Sequence, residues 1–132
     1  MILLLDTQIY LWYLADSPRL TEDLQDQIAG ADDVLISAVS IWEAAIKIGL
    51  GTLDANIADV VRGVNASGFS ELPVTVHAAS VDVGLPAIHA DPFDRLLVAQ
   101  AISGRFHLVS ADAAIAQYSA VVQLVRPDAN SR

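Results

Sequence analysis

The sequence predicts an α/β domain with three layers around a mainly parallel sheet, and three observations carry that prediction. Short apolar runs alternate with helical segments along the whole chain of 132 residues, the pattern of repeated βαβ units. The first run, "ILLLD" at residues 2–6, is continuously apolar rather than alternating, as expected for a strand covered on both faces. There is no cysteine, so stability must come from an apolar core, and this length suffices for one such core without staples.

The elements follow in order. "TQIYLWYLAD" places Ile9, Leu11, Trp12 and Leu14 near helical spacing, and "SPRL" stops it. "TEDLQDQIAGA" begins with Thr21 as a cap and Glu22 and Asp23 in the first turn, with Gly30 near its end. "VLIS" at 34–37 is a second strand, and "SIWEAAIKIGLG" a helix from about Ser40 that ends at Gly49 and Gly51. "IADVVRGVNASG" is a helix with a glycine stop. "SELPVT" is a short, edge-like strand because Pro73 cannot donate to a ladder. "VHAASVDVGLP" is a short helix.

"DPFDRLLVAQA" starts a helix that runs to about Ser103, with Asp91 as cap and Pro92 in the first helical position. Asp94, three residues past that cap, is placed like the second member of a capping box. The strand "FHLVS", the helical "DAAIAQY" and the strand "VVQLV" complete one domain over residues 1–126, and 127–132 form a loose tail.

Composition excludes several functions. Without cysteine, thiolate zinc sites and cysteine nucleophiles are absent, and His77, His89 and His107 are too far apart for a compact zinc motif. The longest charge-free run, 113–125, falls short of the roughly 18–20 residues of a membrane span. No basic segment precedes the apolar start and no small-residue cleavage site follows it, which predicts a cytoplasmic protein without a signal peptide. The net charge of −9 opposes non-specific nucleic-acid binding through a basic face, and Lys47 is the single lysine. A hydrophobic fraction of 54% in so small a chain points to a surface covered by a second copy or by a protein partner.

In such folds, sites form beyond the carboxyl ends of the strands, and four acids fall there. Asp6 ends the first strand, and Asp112 follows "HLVS". Glu43 lies about one turn into the helix after the second strand, and Asp94 lies in the first turn of its helix. Each also has a purely structural account: Asp6 and Asp112 as caps, Asp94 as a dipole partner, Glu43 as an i,i+4 partner of Lys47. All four nevertheless sit beside core positions. Two carboxylates about 4 Å apart repel by about 4 kcal/mol at an effective dielectric near 20. A fold relieves that by protonation or by binding a cation. An all-oxygen set favours Mg²⁺ or Mn²⁺, and a carboxylate-held ion beside a phosphate is the arrangement of phosphodiester cleavage.

On "LLLDTQIYLWYLAD", "ISAVSIWEAAIKIGLG", "ELPVT", "HADPFDRLLVAQA" and "LVSAD", in that order, the chain resembles the PIN-domain ribonucleases, specifically the VapC-type toxins of bacterial toxin–antitoxin pairs. The resemblance spans nearly the whole chain. It implies a PIN-like α/β/α domain with a five-stranded sheet of order 3-2-1-4-5 and an acidic Mg²⁺ or Mn²⁺ pocket. The implied activity is endonucleolytic RNA cleavage held in check by a cognate antitoxin. The implied assembly is a homodimer, or a higher hetero-oligomer with the antitoxin.

Carried over by motif position, the catalytic, metal-holding acids are Asp6, Glu43, Asp94 and Asp112, with Thr7 and Ser110 as supporting hydroxyls. Asp91 remains the cap. Arg95 is a candidate contact for substrate phosphate, or else the partner of a nearby acid. Trp12 and Trp42 are expected in the core or an interface. Gln8, Ala90 and Thr52 replace basic residues frequent in close relatives, which thins the groups that would draw RNA in.

Two other classes compete. A binding module could retain the same acids while docking an antitoxin-like partner, without metal in its pocket. A phospho-acceptor receiver or aspartyl phosphatase also places an Asp after its first strand. The receiver, however, needs a lysine after a late strand, and the phosphatase needs an acid two residues on, where Gln8 stands.

Overall fold

The structure, a computed structural model, describes residues 1–88, 91–118 and 122–125. The expected tail at 127–132, His89 and Ala90 lie outside the described residues. Strand β1 (Ile2–Leu5) leads into helix α1 (Thr7–Leu14), α2 (Glu22–Gly30), β2 (Asp33–Ser37), α3 (Ala38–Gly49) and α4 (Ile57–Ala66). Then come β3 (Ser70–Leu72), α5 (Val76–Val81) with a 3₁₀ turn at Asp82–Gly84, α6 (Pro92–Gly104), β4 (His107–Ser110), α7 (Ala113–Ala116) and β5 (Val122–Leu124).

The five strands form one sheet in the order β3-β2-β1-β4-β5, and all four pairings are parallel. β1 is central because it is the most apolar: Leu4 pairs with Leu35 on one side and Leu108 on the other. Leu3, Leu4 and Leu5 are fully buried, which a strand covered on both faces requires.

The strand period of two sorts the core into two layers. Leu3, Leu5, Ile36 and Val109 pack with Ile9 and Tyr10 of α1, Leu24 and Ile28 of α2 and Val60 of α4. Leu4, Leu35 and Leu108 pack on the other face with Leu97, Val98 and Ala101 of α6 and Ile115 of α7. Helix α3 serves both layers, with Val39 in the second and Ala44 in the first. It therefore crosses the carboxyl edge of the sheet, and that crossing carries Glu43 to the same edge as Asp6.

Three boundaries differ from the sequence expectation. Helix α3 begins at Ala38, not near Ser40, because Ser37 both ends β2 and caps the helix, its hydroxyl accepting from the Val39 amide at 3.1 Å. The segment expected to be helical through Tyr118 is one turn, Ala113–Ala116. The helix at 76–86 tightens into the 3₁₀ turn from Asp82. Trp12 is partly buried against the first core layer. Trp42 is 61% exposed and meets Phe93 edge-on at 5.3 Å. No helix among the described residues is long and apolar enough to cross a membrane.

Helices α1 and α4 touch at Gly63. A Cβ there would lie 2.5 Å from Leu14 Cδ2 and 2.8 Å from the Tyr10 hydroxyl, which donates to the Val60 carbonyl at 2.6 Å. Leu14 can rotate, but Tyr10 is fully buried and held by that bond. Gly63→Val is therefore expected to cost about 1–3 kcal/mol through overpacking. Urea unfolding of the purified variant measures it, and unchanged stability would show that the contact yields freely.

Candidate active site

Among the described residues, Asp6, Thr7, Gln8, Leu11, Glu43, Lys47, Asp91, Asp94, Asp112 and Ile115, with Ala111 and Ala113, line one cleft of about 570 Å³ at the carboxyl edge of the sheet. The structure thus brings all four sequence-identified acids to one cavity, and adds Asp91.

Local folding explains how they arrive. Asp6 caps α1, its Oδ1 accepting from the Ile9 amide at 2.8 Å. Asp112 caps α7 through the Ala114 amide at 2.8 Å. Asp91 caps α6, its Oδ1 accepting from the Phe93 amide at 2.9 Å and the Asp94 amide at 3.4 Å. The structural accounts and the convergence are therefore both true. The positive ends of α1 and α6 face the cleft and offset part of its negative charge.

Ser110 and Thr7 lie where the motif places them. The Ser110 hydroxyl accepts from the Asp112 amide at 3.0 Å and also hydrogen-bonds the Asp6 carboxylate, so one fully buried hydroxyl serves two acids. Thr7 donates to the Ser40 hydroxyl of α3 at 2.9 Å, joining the helices that carry Asp6 and Glu43.

Asp6 is 5% exposed. Burial, helped by the nearby Glu43 charge, pushes its carboxyl up to about 6, against hydrogen bonds from Ser110, Ile9 and Ala111 that favour ionisation. Glu43 is also buried. Its Oε2 pairs with Lys47 Nζ at 3.0 Å, whereas its Oε1 is buried with no hydrogen-bond partner among the described residues. A buried acceptor left without a donor costs roughly 1–3 kcal/mol, and a cation would satisfy it.

The donor set fits a hard divalent ion, since every acid offers oxygen and no thiolate or imidazole lines the described cleft. Among the described residues no three acidic or histidine side chains are gathered closely enough to hold an ion directly. The acids ring the cavity without closing into a cage. That suits Mg²⁺, which keeps several waters and takes only one or two carboxylates directly.

Arg95 takes one of the two roles open to it. It is not among the described cleft residues, and its guanidinium is committed elsewhere. Nε donates to Asp82 Oδ1 at 2.8 Å and one terminal nitrogen to the Asp82 carbonyl at 3.0 Å. The other reaches the Pro86 carbonyl at 3.0 Å and the Tyr118 hydroxyl at 3.3 Å. Of the two roles the sequence allowed, pairing with an acid is the one observed, and the residue clamps α6 to the 3₁₀ turn.

Sequence reasoning missed a buried polar link behind the acids. Ser37 donates to Gln100 Oε1 at 2.6 Å, and Gln100 donates to the Pro73 carbonyl at 3.2 Å. This ties the cap of α3 and the middle of α6, the two helices that carry Glu43 and Asp94, to the ends of β2 and β3. The only signal was a lone polar residue inside "LLVAQA". Also unforeseen was a more apolar groove of about 700 Å³, lined by Leu11, Trp12, Leu14, Leu53 and Val60, which shares Gln8, Leu11 and Lys47 with the cleft.

A five-stranded parallel sheet in this order, with an acidic cleft at its carboxyl edge, is consistent with a PIN domain, and the PIN domain model matches residues 3–121. The chain belongs to the PIN domain family. It is 30% identical over 119 residues to ribonuclease VapC22 of Mycobacterium tuberculosis (strain ATCC 25618 / H37Rv), covering 83% of this chain and 85% of that protein. In fold it is similar to a chain of VapBC2 from Rickettsia felis bound to a DNA fragment from their promoter. That match has a TM-score of 0.71 and 16% identity, and covers 97% of this chain and all of that one (100%). A chain of a toxin–antitoxin complex from Klebsiella pneumoniae aligns with a TM-score of 0.69 and 18% identity over 95% of this chain and 98% of that one.

Proposed function

We propose that this chain is a divalent-metal-dependent endoribonuclease, the toxin of a toxin–antitoxin pair. The observation that carries the reading is the convergence of Asp6, Glu43, Asp94 and Asp112 on one cleft, with Glu43 Oε1 buried and unsatisfied. The similarity to ribonuclease VapC22 supports the substrate class.

Asp6, Asp94 and Asp112 would hold a Mg²⁺ or Mn²⁺ ion in part through its bound waters, and Glu43 would orient the attacking water or share a second ion. When bound, the ion neutralises charge on the scissile phosphate and makes water a better nucleophile. The chain's own part is positional. The caps at Asp6 and Asp112 hold those carboxylates on fixed helix starts, and Ser110 sets their mutual orientation. In-line attack leaves a 5′-phosphate and a 3′-hydroxyl.

The apolar groove continuous with the cleft supports a protein partner, an antitoxin, whose segment would reach the acids through the shared wall of Gln8, Leu11 and Lys47. A docking function without catalysis is separated by one assay. Purified chain, stripped of any partner, is expected to cut a bulk cellular RNA mixture with Mg²⁺ or Mn²⁺, to stop in EDTA and to resume when the ion is restored. Chain that binds a partner but neither cuts RNA nor binds either ion would overturn the ribonuclease reading in favour of docking alone.

A further inference from the structure

We propose that Lys47 is the substrate-positioning cation of this site, gripping a backbone phosphate of the RNA strand where the acidic cleft opens into the apolar groove. The proposal rests on the ribonuclease reading above and supplies what it lacks, a positive group to admit a polyanion past five carboxylates.

Lys47 is the chain's single lysine and the only basic side chain among the described residues of the cleft lining. It lines the groove as well, so it stands on the boundary between the two cavities. Its base is fixed: the Lys47 carbonyl accepts from the Thr52 amide at 2.9 Å, the Leu53 amide at 3.2 Å and the Thr52 hydroxyl at 3.2 Å.

The ammonium is held at 3.0 Å from Glu43 Oε2 while half of the side chain remains exposed. An ammonium carries three donors, and the bond to Glu43 uses one. An ordinary surface pair along a helix has both partners in water. Here the carboxylate side chain is only 8% exposed, so the pair aims the ammonium at the cavity instead of decorating a solvated face.

The other basic side chains among the described residues are spent elsewhere or lie off the lining. Arg95 is clamped by Asp82 and Tyr118, Arg62 pairs with Asp59 on α4, and Arg19 stacks on Trp12. Arg105 sits at the far end of α6 in a left-handed conformation, φ 59°.

The test is the salt dependence of RNA binding. In an Asp94→Asn background, which preserves the RNA, single-stranded oligonucleotides of several sequences are titrated in Mg²⁺ between about 50 and 200 mM salt. Adding Lys47→Gln is expected to weaken binding about tenfold at the low-salt end and equally for every sequence. It should also reduce the slope of log affinity against log salt by about 0.7, the release accompanying one lost phosphate contact on a single strand. Lys47→Arg, which keeps the charge, is expected to restore both.

In the active chain, a rise in KM should carry most of the Lys47→Gln loss in kcat/KM. An unchanged slope in correctly folded Lys47→Gln, or a loss confined to kcat, would overturn the proposal and leave Lys47 as the keeper of Glu43. Wild type that binds RNA with this slope yet never cuts it overturns the ribonuclease reading alone. Wild type that binds no RNA overturns both.

Discussion

Asp94→Asn is expected to lower metal-dependent RNA cleavage by at least about 10²-fold, the usual loss when a preorganised charge at the reacting centre is removed, while the chain stays folded. The separation is possible because α6 divides its acids. Asp91 accepts the amides of Phe93 and Asp94 and so starts the helix, whereas Asp94 lines the cleft one turn further on. Losing the Asp94 charge removes a favourable dipole contribution of about 0.3–1 kcal/mol but leaves the Asp91 cap of α6 in place. Circular dichroism and thermal unfolding check the fold, and a gel assay of RNA cleavage reads the activity. Cleavage at wild-type rate by folded Asp94→Asn would remove Asp94 from the site.

Asp6→Asn is expected to stop cleavage too, yet to make the metal-free chain more stable at neutral pH. The folded carboxyl sits at about 6 against an ordinary value of 3.8, so between those values the folded state binds more protons than the unfolded one. The contribution of Asp6 to stability is then most favourable below pH 4 and is lost as pH rises through 6. At about 1.36 kcal/mol per pH unit, the ionised acid costs the metal-free fold up to about 3 kcal/mol at pH 7.5.

Asparagine removes that charge and, being as good a cap as aspartate, keeps an acceptor for the Ile9 amide. It gives up the second carboxylate oxygen, which offsets part of the gain where Ser110 and Ala111 also bond Asp6. Urea unfolding in EDTA at pH 5 and pH 8 should show the wild type losing roughly half of this increment between the two, the rest having gone below pH 5, and Asp6→Asn not. A variant less stable than wild type at pH 8 would contradict the burial argument. A divalent ion should offset the same cost in wild type, because it binds the folded state alone.

Much of the architecture was legible from residues that answer to one force. "ILLLD" could only be a strand covered on both faces, and Thr21 and Asp91 are helix starts by local hydrogen bonding alone. That the four acids share one edge followed from their placement after strands and at helix starts, a rule of parallel sheets. The illegible parts depend on partners distant in sequence.

Arg95 finds Asp82 and Tyr118 only because α6 packs beside the 3₁₀ turn and near the end of α7. Nothing in "DPFDR" distinguishes a clamp from a phosphate contact. Gln100 meets Ser37 across the layers, and its polarity inside an apolar helix was a signal without an address. Lys47 was legible as a partner of Glu43, but not as a wall shared by two cavities. The early start of α3 was missed because Ser37 belongs to a strand and a helix at once.

The central position of β1 has a consequence in time. Leu3 pairs with His107, and the Asp6 amide bonds the Val109 carbonyl at 3.0 Å, so β1 has to wait for a strand made much later in the chain. At roughly 5–20 residues per second of synthesis, Asp6 precedes Asp112 by on the order of 5–20 s. Through that interval the nascent chain has no assembled carboxylate set, and an unfinished or truncated product ending before β4 lacks Asp112 altogether. Chain growth itself therefore keeps the carboxylates apart until Asp112 has been made.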